Sequence, residues 1–180
     1  MFKKIINIIS SFMNSGPNYS LPHGILYKRI LKSSYDKFFY VDLKVPDTID
    51  GRFDIIILNI FVFIKIFDNS GALEKNFTQK LFDLFMIEVE SSYREMGISD
   101  QSFGKKMKIV IESFYGRTKM YDQNFDNEEK FCECLLRNIW LGNNQMDNES
   151  KKLYHFVLQK VNKYNDKSLD DILLISSDEF

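Results

Sequence analysis

The side chains that could support acid–base, nucleophilic or metal chemistry are few and scattered in this sequence. It holds two histidines, His23 and His155, and two cysteines, Cys132 and Cys134. The histidines have no ligand-like spacing around them, and side chains two apart on a helix diverge, so neither a zinc site nor a disulfide framework is predicted. Such cysteines suit a reducing, cytosol-like compartment.

Motifs of known catalytic sites are also missing from the sequence. There is no P-loop, no dinucleotide glycine fingerprint, no HExxH and no nucleophile elbow. The Glu-x-x-His pairs of di-iron bundles do not occur. With only two histidines, the chain has few side chains that could act as a general base near neutral pH. We therefore expect a protein that is not an enzyme and that binds no cofactor or metal.

The composition predicts which secondary structure these residues adopt. The 180 residues include 17 Phe and 9 Tyr but only 3 Pro and 8 Gly. Few breakers and little strand-like alternation favour an all-α fold, and this length suits one domain with a real core. The formal net charge of −1 argues against electrostatic binding of DNA by the whole chain.

One stretch, residues 45–67, organises the predicted fold. Pro46 biases the residues before it toward extended backbone. Asp47 can accept backbone N–H bonds at a helix start, and Asp50 resembles its capping-box partner. A helix is therefore expected from about residue 47–50 to Asp68. The apolar part of this helix, residues 53–67, is shorter than the ~20 residues that a membrane span needs and is interrupted by polar residues. We therefore expect a central core helix.

Two polar residues lie on the wide apolar side of this helix, Arg52 and Asn59. One interpretation is structural, with Arg52 paired to a carboxylate and Asn59 to backbone groups. The other is that both line a groove for a partner. Asp50, Asp54 and Lys65 fall on the narrow polar stripe of the same helix.

Helical periodicity predicts further elements on both sides of the core helix. Together they make a single-domain bundle of six to seven helices around a central, mostly buried hydrophobic helix. The predicted helices cover residues 22–38, 73–96, 102–121, 126–141 and 149–164. The aromatic segment 38–45 is predicted to be extended.

The two ends of the chain differ from the domain, which we place at residues 18–165. Residues 1–17 form an amphipathic segment and linker, with apolar side chains of residues 1–14 on one face and polar ones on the other. This segment either lies on a membrane surface or partner, or docks on the protein's own core. Residues 166–180 form an acidic tail, in which residues 172–175 are apolar and can dock back.

Charge is distributed unevenly between two neighbouring segments. Residues 83–100 are acidic, whereas the next segment carries a basic set of five residues, Lys105, Lys106, Lys108, Arg117 and Lys119. One interpretation is two solvated faces that partly pair with each other. The other is a basic surface for an anionic partner such as RNA or the ribosome, which predicts steep salt dependence.

Three motifs follow one another along the chain: PDT-x-DGRF at residues 46–53, REMG-x-x-D at 94–100 and FYGR at 114–117. As a set, they resemble the ubiquinol–cytochrome c chaperone family, assembly factors of the cytochrome b-containing complex III. The likeness extends over residues 26–140, including LYKRI and LLRNIW near its ends. The chain departs from the family pattern at Asn59, where many members have His, and at Glu88 and Glu90, where Asp is usual.

The resemblance implies a non-enzymatic helical chaperone. Its implied partners are newly made cytochrome b or a complex III assembly intermediate, a small second chaperone subunit and, in mitochondria, the ribosome. It also implies a cytoplasmic protein, peripheral on the inner face of the cytoplasmic membrane, or on the matrix side in mitochondria. A heme-handling or RNA-contacting helical protein is the alternative. The candidate partner-binding residues are Asp47, Asp50, Arg52, Asn59, Arg94, Lys105 and Arg117.

Overall fold

The fold is all-α, as predicted. The computed structural model describes residues 19–68 and 72–175, and this part of the chain forms one domain of seven α-helices without a strand. The helices are α1 (Pro22–Ser34), α2 (Ile49–Asp68), α3 (Ala72–Glu95), α4 (Asp100–Asn124), α5 (Glu128–Ile139), α6 (Asp147–Tyr164) and α7 (Leu169–Leu174). The predicted amphipathic segment, residues 1–14, lies outside the described residues.

Helix α2 is the centre of the bundle. It packs against α1, α3, α4, α5 and α6, and no side chain between Phe53 and Phe67 is exposed. Phe61, for example, contacts the rings of Tyr121 and Phe131, with centroids 5.5 and 6.2 Å away. Each fully buried Ile or Phe contributes about 1.5–3 kcal/mol relative to exposure. The predicted central hydrophobic helix is therefore confirmed.

The start of α2 is capped by a different residue from the one predicted. The Gly51 N–H donates to Thr48 Oγ1 at 3.1 Å, so Thr48 is the N-cap and Asp47 is not. Asp47 instead bonds a side chain farther along, as described below. Gly51 is required here because a Cβ at this position would lie 2.0 Å from the Pro46 carbonyl oxygen.

The segment before α2 is helical, and its predicted extended conformation is wrong. Residues Phe38–Asp42 form a π-helix, in which the Leu43 N–H donates to the Phe38 carbonyl at 3.0 Å. The tertiary cause is aromatic packing, since Phe38 and Phe39 both contact the Phe156 ring of α6 at 5.4 and 5.3 Å. Aromatic residues favour strands only as a local tendency, and this packing overrides it.

The turn after this π-helix has a strained backbone that neighbouring elements hold in place. Lys44 has a φ of 54°. Its carbonyl accepts the Trp140 Nε1–H at 3.2 Å, and its Nζ lies 2.6 Å from Glu149 Oε1. The segment leading into α2 is thus fixed from both α5 and α6.

The apolar patch near the C-terminus docks on the domain, as the sequence suggested. Ile172 in α7 is fully buried. Arg29 of α1 donates to the carbonyl oxygens of Ile172 and Leu173 at 3.0 and 2.8 Å. Leu174 remains 84% exposed, so the contact involves one side of this short helix.

Gly51→Ala tests the close approach at the start of α2. The added methyl group meets backbone rather than a flexible side chain, so we expect a loss of about 1–3 kcal/mol in the free energy of unfolding. Gly116→Ala in α4 is the matched control, since a Cβ there meets no atom within 4 Å. Urea denaturation measures both variants, and equal stabilities would contradict the close approach.

Candidate partner-binding site

The predicted site residues at the start of α2 form an exposed ion pair. Arg52 Nε donates to Asp47 Oδ1 at 2.6 Å, and the two side chains are 48% and 59% exposed. This bond holds the pKa of Asp47 below its usual value. The Arg52 guanidinium also lies over the Tyr35 ring, 5.6 Å from its centroid. Arg52 is therefore at the surface, which corrects its predicted place on the packed apolar side.

A shallow cleft of about 270 Å³ adjoins this ion pair, and we call it the signature cleft. It is lined by Tyr35, Lys37, Tyr40, Val41, Asp47 and Arg52. Two apolar side chains at this end of the molecule are unusually exposed, Val41 at 67% and Ile49 at 68%. Asp50 is exposed beside them. The cleft thus combines an apolar surface with a fixed pair of opposite charges.

Asn59 lies inside the bundle. It is 1% exposed, and its Nδ2 donates to Ser34 Oγ at 3.0 Å and to the Ile55 carbonyl at 3.2 Å. Its Oδ1 lies 3.5 Å from Nζ of Lys160, a buried lysine of α6. Burial lowers the pKa of Lys160 to about 8, with a smaller effect from Lys163. The amide therefore joins α1, α2 and α6, and it does not line the signature cleft.

Arg117 also points inward, toward Asp54, which the sequence had placed on the polar stripe of α2. Its Nε lies 2.6 Å from Asp54 Oδ1 of α2, and the side chains are only 22% and 4% exposed. The guanidinium also lies over the Phe53 ring, 5.6 Å from its centroid. Burial raises the pKa of Asp54 to about 6, against the opposing effect of Arg117, and Asp50 raises it further. This pair joins α2 to α4.

The remaining predicted residues lie near the turn between α3 and α4. Arg94 Nη2 donates to Glu90 Oε1 at 2.8 Å, in an exposed pair one helical turn apart. Its guanidinium lies over the Phe103 ring at 4.8 Å. Lys105 is exposed. The predicted basic set does not share one surface, because Arg117 faces the core.

A second depression in the described part of the chain is a groove that was not predicted from the sequence. It encloses about 390 Å³ between α2, α3 and α4, and we call it the aromatic groove. Its lining residues are Phe61, Ile64, Lys65, Thr78, Gln79, Phe82, Phe114, Tyr115, Thr118, Lys119 and Asp122. None of the predicted site residues is among them.

Packed aromatic rings form one wall of the aromatic groove. The Phe82 ring lies 4.8 Å from that of Phe114 and 5.2 Å from that of Tyr115. Tyr115 is 46% exposed, so an apolar ligand can reach its ring. At one edge, Lys65 Nζ donates to Asp122 Oδ1 at 2.7 Å. A mostly apolar depression with a few charged groups at its edge can accept apolar side chains of a partner.

The described residues offer no cluster of three or more His, Cys, Asp or Glu side chains suited to a metal ion. Cys132 and Cys134 are both buried and free. Across residues 19–68 and 72–175, no helix is both long enough and apolar enough to cross a membrane.

Comparison with known proteins connects this architecture to one family. The family model described as ubiquinol-cytochrome C chaperone matches residues 41–176. The crystal structure of the Cbp3 homolog from Brucella abortus is similar over 99% of both chains, with a TM-score of 0.76 and 25% sequence identity. None of the curated proteins matched this chain.

Asp54→Asn tests the buried pair through its pH dependence. Because the folded pKa of Asp54 is raised from 3.8 to about 6, the folded protein binds this proton more tightly than the unfolded chain. The free energy of unfolding of the wild type relative to Asp54→Asn should therefore rise, by about 2 kcal/mol, as the pH falls from 7 to 4. Urea denaturation across this range measures the difference.

Asp47→Asn is the control with the opposite sign. The pKa of Asp47 is lowered by Arg52 from its ordinary value of 3.8, so the wild type should lose stability relative to Asp47→Asn only as the pH falls below this value, where the unfolded chain takes up the proton first. A difference between wild type and Asp54→Asn that does not change with pH would contradict the raised pKa.

Proposed function

This chain belongs to the ubiquinol–cytochrome c chaperone family, and from that premise we propose that it binds newly made cytochrome b during assembly of ubiquinol–cytochrome c reductase. The family match and the similarity to the Cbp3 homolog support the general role of assembly chaperone. The aromatic groove supports the more specific one. We infer a binding function without catalysis, because a chaperone acts through contact with its client.

The observation that carries the proposal is the aromatic groove, in which the Tyr115 ring is 46% exposed beside the buried rings of Phe82 and Phe114. A depression of about 390 Å³ is too small for a whole helix but admits a few large side chains from one. An apolar helix presents such side chains at i, i+3, i+4 and i+7, which is the pattern that helix-binding grooves recognise. Cytochrome b is a membrane protein built from apolar helices, so its segments have the required chemistry before they are assembled.

The signature cleft supports a second contact in the same role. Asp47, Asp50 and Arg52 hold fixed charges beside the exposed Val41 and Ile49. A surface of this kind suits the polar rim and apolar centre of a protein–protein interface. We propose that the small second subunit or an assembly intermediate contacts the chaperone here.

Complementation of a gene deletion tests the client groove. We expect Tyr115→Glu to lower assembled complex III and cytochrome b several-fold, because it places a charge in the aromatic groove. Ile109→Glu is the matched control, since Ile109 lies on the same helix, is 55% exposed and does not line the groove. Both quantities are measured in membranes, with unrelated respiratory complexes as a reference.

The proposal fails at two distinguishable levels. Unchanged cytochrome b after deletion of the gene would refute the chaperone function in this organism. Full complementation by Tyr115→Glu, with both variants equally stable, would refute the groove as the client site and leave family membership intact.

We also propose a peripheral position on the inner face of the membrane through residues 1–14, which lie outside the described residues. Flotation with vesicles of phosphatidylcholine and anionic phosphatidylglycerol tests this contact. The intact chain should float, and a chain lacking residues 1–16 should remain at the bottom of the gradient, because the amphipathic segment supplies the apolar contact. Equal flotation of both chains would exclude this segment as the main membrane contact.

A further inference from the structure

The charges at the edge of the aromatic groove are not balanced. Its described lining holds two lysines, Lys65 and Lys119, and one carboxylate, Asp122. This carboxylate is already taken, because Asp122 Oδ1 accepts a hydrogen bond from Lys65 Nζ at 2.7 Å. The same ammonium group lies over the Phe125 ring, 4.9 Å from its centroid. One lysine of the groove is thus matched by a carboxylate of the groove, and the other is not.

Lys119 is the unmatched cation. It is exposed, and among the described residues it has no hydrogen-bond, ion-pair or ring partner. Tyr115, Lys119 and Asp122 are spaced i, i+4 and i+7, so they form one row along α4. Lys119 therefore stands one turn, or about 6 Å, beyond the exposed Tyr115 ring. A charged donor is available at the edge of an apolar surface, and the described lining supplies no acceptor for it.

The other end of the groove lies beside a negative charge. The Phe82 ring of α3 contacts the Tyr115 ring of α4, and the two helices run antiparallel because a short turn joins them. Asp83, the residue after Phe82, is therefore level with Tyr115, whereas Lys119 lies one turn farther along α4. Burial raises the pKa of Tyr115, and the nearby Asp83 carboxylate raises it further. The groove thus has ends of opposite charge.

We propose that the aromatic groove accepts apolar helices that carry a carboxylate one turn beyond their apolar anchors, and that Lys119 binds this carboxylate. With the anchors seated against the rings of Phe82 and Tyr115, the next turn of the helix lies at Lys119. The partial negative charge at the C-terminal end of a helix favours the same end of the groove. This role of Lys119 rests on the proposed function, in which the groove holds a client helix.

The lining favours a helix over other amphiphilic occupants. Thr78, Gln79 and Thr118 interrupt the ring-lined surface, so separate side chains fit it better than a continuous acyl chain does. An ion pair at an exposed edge discriminates by the sign of the charge more than it adds affinity, because solvent screens it. Lys119 therefore contributes selectivity among apolar helices.

Binding of designed peptides to the full chain tests this selectivity. Each peptide is a soluble helix of about 18 residues with Leu at i, i+4 and i+7. One test residue, Glu, Gln or Lys, lies one turn after or one turn before these anchors, so that both orientations of the peptide are covered. By fluorescence anisotropy, the Glu peptide of one placement should bind about threefold more tightly than its Gln peptide, and the Lys peptide more weakly. The difference should shrink as the salt concentration rises.

Charge reversal assigns the selectivity to one side chain. Lys119→Glu should invert the order, so that the Lys peptide binds more tightly than the Glu peptide. Lys105→Glu is the matched control and should keep the wild-type order, since Lys105 is exposed on the same helix and does not line the groove. Thermal melting checks that both variants fold as the wild type does. An order that Lys119→Glu leaves unchanged would overturn the proposal.

The remaining outcomes separate this role of Lys119 from the proposed function. Tyr115→Ala removes the ring without adding a charge. Equal affinities for the three peptides that are all lost in Tyr115→Ala would refute the selection by Lys119 and leave the groove as the client site. Absence of binding, or binding that Tyr115→Ala leaves intact, would refute both.

Two further probes identify a different occupant. Sodium laurate joins a carboxylate to an acyl chain, and its binding in place of the peptides, lost in Tyr115→Ala, would show that the groove takes lipid-like chains. Sedimentation of the free chain as a dimer that Tyr115→Ala dissociates would identify a second copy. Either result would overturn the proposal, whereas the gene-deletion experiment on cytochrome b is independent of both.

Discussion

The burial of α2 on nearly all sides is the constraint on which the other features of this structure depend. A helix surrounded by α1, α3, α4, α5 and α6 leaves no route to water for two of its polar side chains. Asp54 and Asn59 are 2% and 1% exposed, and an unpartnered polar group at such depth costs several kcal/mol. Each therefore needs a partner from a neighbouring helix, and Arg117 and Lys160 supply them. These contacts specify how α4 and α6 are rotated against the core.

The rotation of α4 has a functional consequence. With Arg117 directed at Asp54, the adjacent positions Phe114 and Thr118 are buried beside α2 and α3, and Tyr115 faces outward across Phe82. The aromatic groove is thus a result of how the buried ion pair orients this helix. The same arrangement explains why the basic residues between 105 and 119 do not form one cationic surface.

The motif PDT-x-DGRF has a structural explanation at most of its positions. Thr48 caps α2, Gly51 permits the close approach to Pro46, and Asp47 bonds Arg52. The motif therefore builds the entrance to the core helix. Its exposed ion pair and the neighbouring cleft remain available to a partner, so the structural role and the proposed contact with a second subunit are compatible.

The sequence by itself determined the helical class, the central helix, most helix positions and the family, because these follow from periodicity, chain breakers and motif residues that are local in sequence. Only the tertiary structure decided which polar residues are buried and where a groove opens. The wheel of α2 placed Asp54 on its polar stripe and Arg52 on its apolar side, whereas packing buries the first and exposes the second. Phe82 and Tyr115 lie on different helices and are far apart in the sequence. No local sequence pattern could therefore show that their rings form one surface. The physical reason is that helical periodicity defines faces of a single helix, while the partner of each face depends on how several helices share one core.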